Sequence, residues 1–387
     1  MEPAGERTRS IPLLFMLAFV IAVDAKLIAP VLPSIAASLG GTVGEVGLAM
    51  TTFSFAFAGG QLVYGPLSDR YGRVAVVRLA GLGFIACAAL AATAHVTWTF
   101  VAVRLLAGAF AGAVGPLTLA HIGDCYPPGP RQVMLGRFNA VISAGFAFSA
   151  TVGGTVAQLV SWRYMLVGAG VVGLVPVGLM FQHPSGRPAQ PAPGVPARYR
   201  DFLRDPWARL VYLSVLVETA LLWGGVTYLV AFAIGRFAID QLEAALLIAV
   251  FGAGTVGGGL AVKRMMKALS SRALAVCGGA LMGGAYLVIL PHLPWPVFAL
   301  AMLALGIGYA FLHTVLQHRG TEISTTARGK AFSLFAMCHW LGIAIGAAAL
   351  GLLVDAGRSM LAFAICGIGL IALGIACARH TRPAQAR

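Results

Sequence analysis

Four ionisable residues stand inside stretches of the chain that are otherwise apolar: Asp24, Lys26, Arg104 and Glu218. In lipid such a group is costly, and by default it marks a pathway, a proton relay or a substrate partner. Asp24 and Glu218 could bind a proton or a cationic compound, and Arg104 could pin a carboxylate. At the rise of a helix, Asp24 lies ~20 Å from one membrane face and ~10 Å from the other, and Arg104 lies ~9 Å below that second face. The matched depths predict a pair in which Arg104 favours ionised Asp24 while a substrate cation competes with the proton. The other reading of the same pair is a structural ion bridge between two spans. Lys26, about 200° around the helix from Asp24, is expected to snorkel towards the nearer face. Glu218 falls ~15 Å into its run, among Val217, Thr219, Leu221 and Trp223, surroundings that suit proton binding or recognition of a cation; a helix-to-helix hydrogen bond is its alternative role.

Around these charges the candidates are softer. His121 and His318 fall at the ends of apolar runs and His313 and His339 within or near them, where an imidazole relays protons near neutral pH or packs through a hydrogen bond. Trp223, Tyr228, Tyr309, Phe311 and Trp340 could wall a site for a lipophilic or cationic compound or serve as packing and interfacial anchors. The expected substrate cavity is lined by Asp24, Glu218, Trp223, Tyr228, Tyr309, His313 and Trp340, with proton coupling assigned to Asp24, Arg104 and Glu218. No GxxxxGK[ST] phosphate loop is present, which disfavours nucleotide-driven pumping within this chain. No Ser/His/Asp or metal-ligand cluster recommends an embedded enzyme, and no appended domain recommends a receptor. The 6 cysteines are scattered without a CxxC pair, so neither a disulfide framework nor structural zinc is expected, and no cofactor is implied.

The elements that must hold these residues follow from composition. Of 387 residues 59% are hydrophobic and 10% charged, and the mean hydropathy is +0.87, whereas soluble proteins carry roughly 25% charged residues. Lipid is therefore the solvent for most of the chain. At about 20 apolar residues per span there is room for about twelve, read at 11–35, 45–64, 75–94, 98–120, 134–158, 164–182, 208–234, 243–262, 273–291, 296–316, 331–353 and 359–378. The net charge of +14 is not a nucleic-acid signature, because no basic run interleaves with aromatics. Most of the 27 Lys and Arg fall in alternate loops, while the opposite loops hold only Arg163, Arg236 and Arg358, which predicts that both termini are cytoplasmic.

The Pro-, Gly- and Arg-rich stretch 182–207 reads as a cytoplasmic linker between bundles at 1–181 and 208–387, ending in a short amphipathic helix at RYRDFLRDPW on the membrane surface. The bundles also resemble each other. His121, Arg131, Gly145 and Gly154 are matched by His318, Arg328, Gly342 and Gly351 at a constant spacing of 197, with a weaker match of Gly65, Asp69 and Arg70 to Gly259, Lys263 and Arg264. Parallel six-span repeats are a transporter architecture with the substrate site between halves. The fold expected is thus all-α: twelve transmembrane helices in two pseudo-symmetric six-helix bundles.

The most specific local pattern is GPLSDRYGR, Gly65 to Arg73. It resembles the hallmark loop of the major facilitator superfamily, G-x-L-x-D-R-x-G-R, at Gly65, Leu67, Asp69, Arg70, Gly72 and Arg73. Glycines permit a tight turn and Asp69 can take a charge-assisted bond that locks one conformation. DAKLIAPVLP, Asp24 to Pro33, is similar to the first-span signature of the family's twelve-span drug:proton antiporters. RLLAGAFAGA, Arg104 to Ala113, resembles the fourth-span motif R-x-x-Q-G-x-G, with Ala107 and Phe110 in place of Gln and Gly. GFAFSATVGG, Gly145 to Gly154, resembles the fifth-span antiporter motif G-x-x-x-G-P-x-x-G-G, with Ser149 and Ala150 in place of Gly-Pro.

The resemblance implies a multidrug-type secondary transporter of a bacterial inner membrane, working as a monomer because the path lies within one chain. Its partners would be protons, a small molecule and lipid. The expected activity is export of small organic compounds by proton antiport through alternating access, gated by Gly65, Asp69, Arg70, Gly72, Arg73, Gly145, Gly153 and Gly154. Uptake of a solute by proton symport or facilitation is the alternative, since the fifth-span motif is altered.

Overall fold

The computed structural model describes residues 4–182, 199–291, 293–324 and 328–380, apart from some side chains within helices. Most of the linker expected at 182–207 and the tail beyond 380 lie outside the described residues, as do the side chains of Lys263 and Arg328. The described residues are helical throughout, without a strand, and the chain divides into two compact units, Met1–Val195 and Pro196–Arg387.

In the first unit, α1 (Ala4–Leu27), a 3-10 turn (Ala29–Val31) and α2 (Leu32–Leu39) together make one apolar span. Pro30 and Pro33 interrupt it, since neither can donate a backbone N–H and each ring displaces the preceding turn. α3 (Val43–Tyr71) opens on a capping box: the Thr42 hydroxyl accepts from the Glu45 N–H while the Glu45 carboxylate accepts from the Thr42 N–H. After α4 (Arg73–Ala92), a second broken span joins α5 (Thr97–Ala111) to α6 (Val114–Cys125), the break falling at Gly112 and Ala113 ahead of Pro116. α7 (Pro128–Leu159) and α8 (Trp162–Met180) complete the unit.

In the second unit, α9 (Tyr199–Arg204) is the short helix anticipated before the bundle. Phe202 on it is buried, and α9 packs against the helices that follow, α10 (Pro206–Phe237) and α14 (Arg328–Asp355). Between them come α11 (Gln241–Ala268), α12 (Ser271–Val288) and α13 (Trp295–Glu322), and α15 (Ser359–Arg379) ends the bundle. Among the described residues 11 helices or helix pairs are long and apolar enough to cross a membrane. The expected fifth span, 134–158, falls on α7, whose apolar stretch among the described residues is Val133–Phe146; the side chains at 150–159 lie outside the described residues.

The two units pack by one scheme. In the first, α1 lies on α7 and α8, α3 on α5, and α4 on α5 and α8; in the second, α10 lies on α14 and α15, α11 on α13, and α12 on α13 and α15. Counted by spans, each pairing recurs six spans later. Small residues let these helices touch. A β-carbon on Gly108 would overlap the Phe53 carbonyl, and one on Gly306 the Phe251 carbonyl, 198 residues on in both chain segments. Gly145 rests on Phe19 and Ala22, and Gly342 on Leu216 and Thr219, each pair 197 residues apart.

Candidate functional site

Asp24 lies one turn before the end of α1, and Arg104 lies in the middle of α5. The two meet: Arg104 Nη1 donates to Asp24 Oδ2 over 2.7 Å, with the side chains 1% and 0% exposed. Phe53 of α3 supplies the floor, its ring centroid 4.4 Å from the guanidinium carbon. Asp24 Oδ1 and Arg104 Nε and Nη2 have no hydrogen-bond partner among the described residues. This arrangement can hold one positive and one negative charge out of water and, if it opens, offer each to a ligand. The Lys26 ammonium sits over the Phe146 ring of α7 at 5.5 Å.

The second unit holds another buried pair. Glu218, in the middle of α10, has no exposed surface, and its Oε2 lies 2.7 Å from His313 Nδ1 on α13. The His313 ring stacks on Tyr309 with centroids 4.8 Å apart and meets His339 of α14 edge-on at 5.1 Å. Trp223 stands edge-on to Tyr309 and to Phe251, and Trp340 edge-on to His339. Glu218, Trp223, Tyr309, His313 and Trp340 therefore form one connected group. Tyr228 is not part of it, because ten residues along α10 its hydroxyl donates to the Ala347 carbonyl at 2.7 Å. Phe311 of α13 is buried.

The loop Gly65–Arg73 closes α3 and opens α4. Gly72 has φ of +91°, a conformation that favours glycine, while Gly65 has open space where a side chain would stand. Asp69 bonds Arg73 at 2.9 Å, within its own loop. Arg73 is the residue that reaches across: its Nε donates to Asp124 at the end of α6 over 3.0 Å, and its Nη1 to the Ser68 hydroxyl over 2.8 Å. Arg70 lies over the adjacent Tyr71 ring. Gly145 is a close helix contact, whereas the surroundings of Gly153 and Gly154 lie outside the described residues. His121 is bound to Ser10 of α1 at 2.8 Å, and His318 is exposed 3.6 Å from Glu322.

Sequence reasoning did not find the Glu218–His313 bond, the place of His339, or the Arg73–Asp124 bridge. One signal was available for the first. Glu218 lies ~18 Å from the start of α10 and His313 ~14 Å from the end of α13 at helical rise, a match in depth like that of Asp24 and Arg104.

A family model described as Major Facilitator Superfamily matches residues 14–324. Tetracycline resistance protein, class E, of Escherichia coli is 27% identical over 376 residues, 90% of this chain and 89% of that one. A puromycin resistance protein of Streptomyces alboniger is 30% identical over 147 residues, covering 38% of this chain and only 29% of its own length. Among solved structures, a bacterial homologue of the human lysosomal transporter Spinster, inward-facing and unoccupied, superposes with a TM-score of 0.79 at 16% identity over 98% of each chain.

Proposed function

The chain belongs to the major facilitator superfamily, and on that footing we propose that it exports small organic compounds from the cytoplasm in exchange for protons. Membership makes it an integral membrane transporter of small molecules and not an enzyme. The observation that carries the antiport reading is a fully buried carboxylate in each unit, Asp24 and Glu218, each bonded to a basic partner. A buried charge needs compensation, so a proton and a substrate compete for it, and each biases the protein towards one of two openings. Export is supported by similarity along almost the full length of a tetracycline resistance protein.

In this reading Asp24, Glu218, Trp223, Tyr228, Tyr309, His313 and Trp340 face the substrate path, and the loop Gly65–Arg73 gates it through the Arg73–Asp124 bridge. Both termini are cytoplasmic, in a bacterial inner membrane, and one chain suffices. Of the few cations assigned to the outer side, Arg163 donates to the Ala94 carbonyl and Arg236 to the Ile289, Leu290 and Pro291 carbonyls. They are occupied at helix ends and so do not count against that orientation.

The test is dye-reported proton movement in proteoliposomes with an imposed pH gradient, using tetracycline, puromycin, ethidium and glucose as probes. Dissipation by tetracycline or puromycin that requires intact Asp24 is expected. Flux of a probe without proton movement would replace antiport by the second reading, facilitated or symported uptake, which the Ser149-Ala150 departure in α7 favours.

A further inference from the structure

The two buried pairs differ in what their basic member can do. Arg104 is always charged, so the Asp24–Arg104 bridge is neutral only while Asp24 stays ionised. A proton on Asp24 would leave a guanidinium, 1% exposed, without its counter-charge, the costly outcome for a buried pair. The partner of Glu218 is an imidazole, which gains and loses a proton near neutral pH.

One proton already occupies the 2.7 Å gap between Glu218 Oε2 and His313 Nδ1, whichever atom carries it. With that proton alone, the pair has a net charge of −1. A second proton on the other ring nitrogen, Nε2, makes the pair neutral without breaking the Glu218 bond. Burial favours the neutral form, so the pair binds a proton when closed off from water and releases it when a cation or solvent stabilises the carboxylate.

A route to the pair is also present. Glu218 is 0% exposed and His313 8%, while His339, 5.1 Å from His313 between ring centroids, is part-exposed. The titratable groups around the pair, among the described residues, are Tyr309 from α13, His339 from α14 and Cys377 from α15. The guanidinium of Arg319 reaches the Cys377 carbonyl at 2.8 Å. Of these only His339 can pass a proton on at neutral pH, because phenol and thiol give theirs up at higher pH.

We propose that Glu218 and His313 carry a transported proton and that His339 loads it. This rests on the antiport reading. Each step is a plain proton transfer: hydronium to the His339 imidazole, leaving water, the His339 imidazolium to His313 Nε2, and the reverse on release.

The experiment is nitrogen NMR of the full chain labelled at histidine in lipid nanodiscs, with His313 and His339 signals identified by their loss in His313→Gln and His339→Gln. Both signals should titrate between about pH 5 and about pH 9. Glu218→Gln should move the His313 midpoint by about one unit or more and Asp24→Asn should leave it in place. His339→Gln should keep that midpoint but slow proton exchange at His313 about ten-fold. Should Glu218→Gln not yield monodisperse protein, Glu218→Asp, which keeps the charge one methylene further back, supplies the comparison. A His313 signal constant over the range, or one moved equally by Asp24→Asn, overturns the proposal.

The proteoliposome assay separates this failure from that of the function. Tetracycline-driven proton movement that persists in Glu218→Gln overturns the site and leaves antiport standing. No proton movement with any probe, while His313 still titrates, overturns antiport and leaves the protonatable pair.

Discussion

Asp24 and Arg104 are each tolerable in an apolar interior only because of the other. Breaking such a bridge from one side costs about 3–5 kcal/mol, whereas removing both partners is far cheaper. Asp24→Asn should therefore lower thermal stability in detergent by about that amount and abolish proton-coupled transport, while Asp24→Asn with Arg104→Gln should recover most of the stability and none of the coupling. Unfolding followed by tryptophan fluorescence, beside the vesicle assay, checks both. An unchanged transport rate in Asp24→Asn would return the pair to a purely structural role. At this scale the charged members of both sites were legible, because an ionisable residue in an apolar run stands out from its neighbours alone. Their partners were less so. Nothing near Glu218 in the sequence points to His313, 95 positions away, and His339 enters only through ring contacts between α13 and α14.

At the level of elements, glycine does two different jobs. Gly72 turns the chain between α3 and α4 at φ +91° and ψ 143°, a region that costs other residues about 1–3 kcal/mol. Gly72→Ala should destabilise by that much, and Gly65→Ala, with open space around it, should not. Gly108 instead admits α3 against α5, so Gly108→Leu must push the Phe53 backbone away and should cost at least about 1–3 kcal/mol. Thermal unfolding of the three variants distinguishes them. Asp69→Ala should slow turnover about ten-fold, the loss of one charge-assisted bond, with the KM for tetracycline little changed; normal turnover would remove the gating role. The motif matched in sequence named Asp69 as the lock, yet the contact between elements runs from Arg73 to Asp124, since only the longer side chain spans the distance to α6.

Over the whole molecule, one packing scheme serves twice. The match at a spacing of 197 residues becomes physical where Gly145 rests on Phe19 and Ala22 as Gly342 rests on Leu216 and Thr219. Capping boxes recur as well, Thr42 with Glu45 and Asp240 with Glu243. The repeats keep their backbone contacts and differ in their charges: a permanent cation beside Asp24, an imidazole beside Glu218. Orientation is open to a direct test. In a cysteine-free background, a membrane-impermeant maleimide should label Arg9→Cys only in inside-out vesicles and His95→Cys only from outside whole cells; both residues are exposed. The opposite pattern would invert the topology and, with it, the meaning of export.

Hydropathy, charge and breaker residues act locally, so the sequence alone determined the membrane class, the helical elements, the hallmark loop and the candidate buried charges. Even the interruptions of the first and fourth spans have their causes written in Pro30, Pro33, Gly112 and Pro116. What the tertiary structure decided is which of these residues meet. Arg104 reaches Asp24 across 80 positions and His313 reaches Glu218 across 95. Such contacts depend on helix rotation and on how closely glycine lets two backbones approach, and neither is encoded at the site itself.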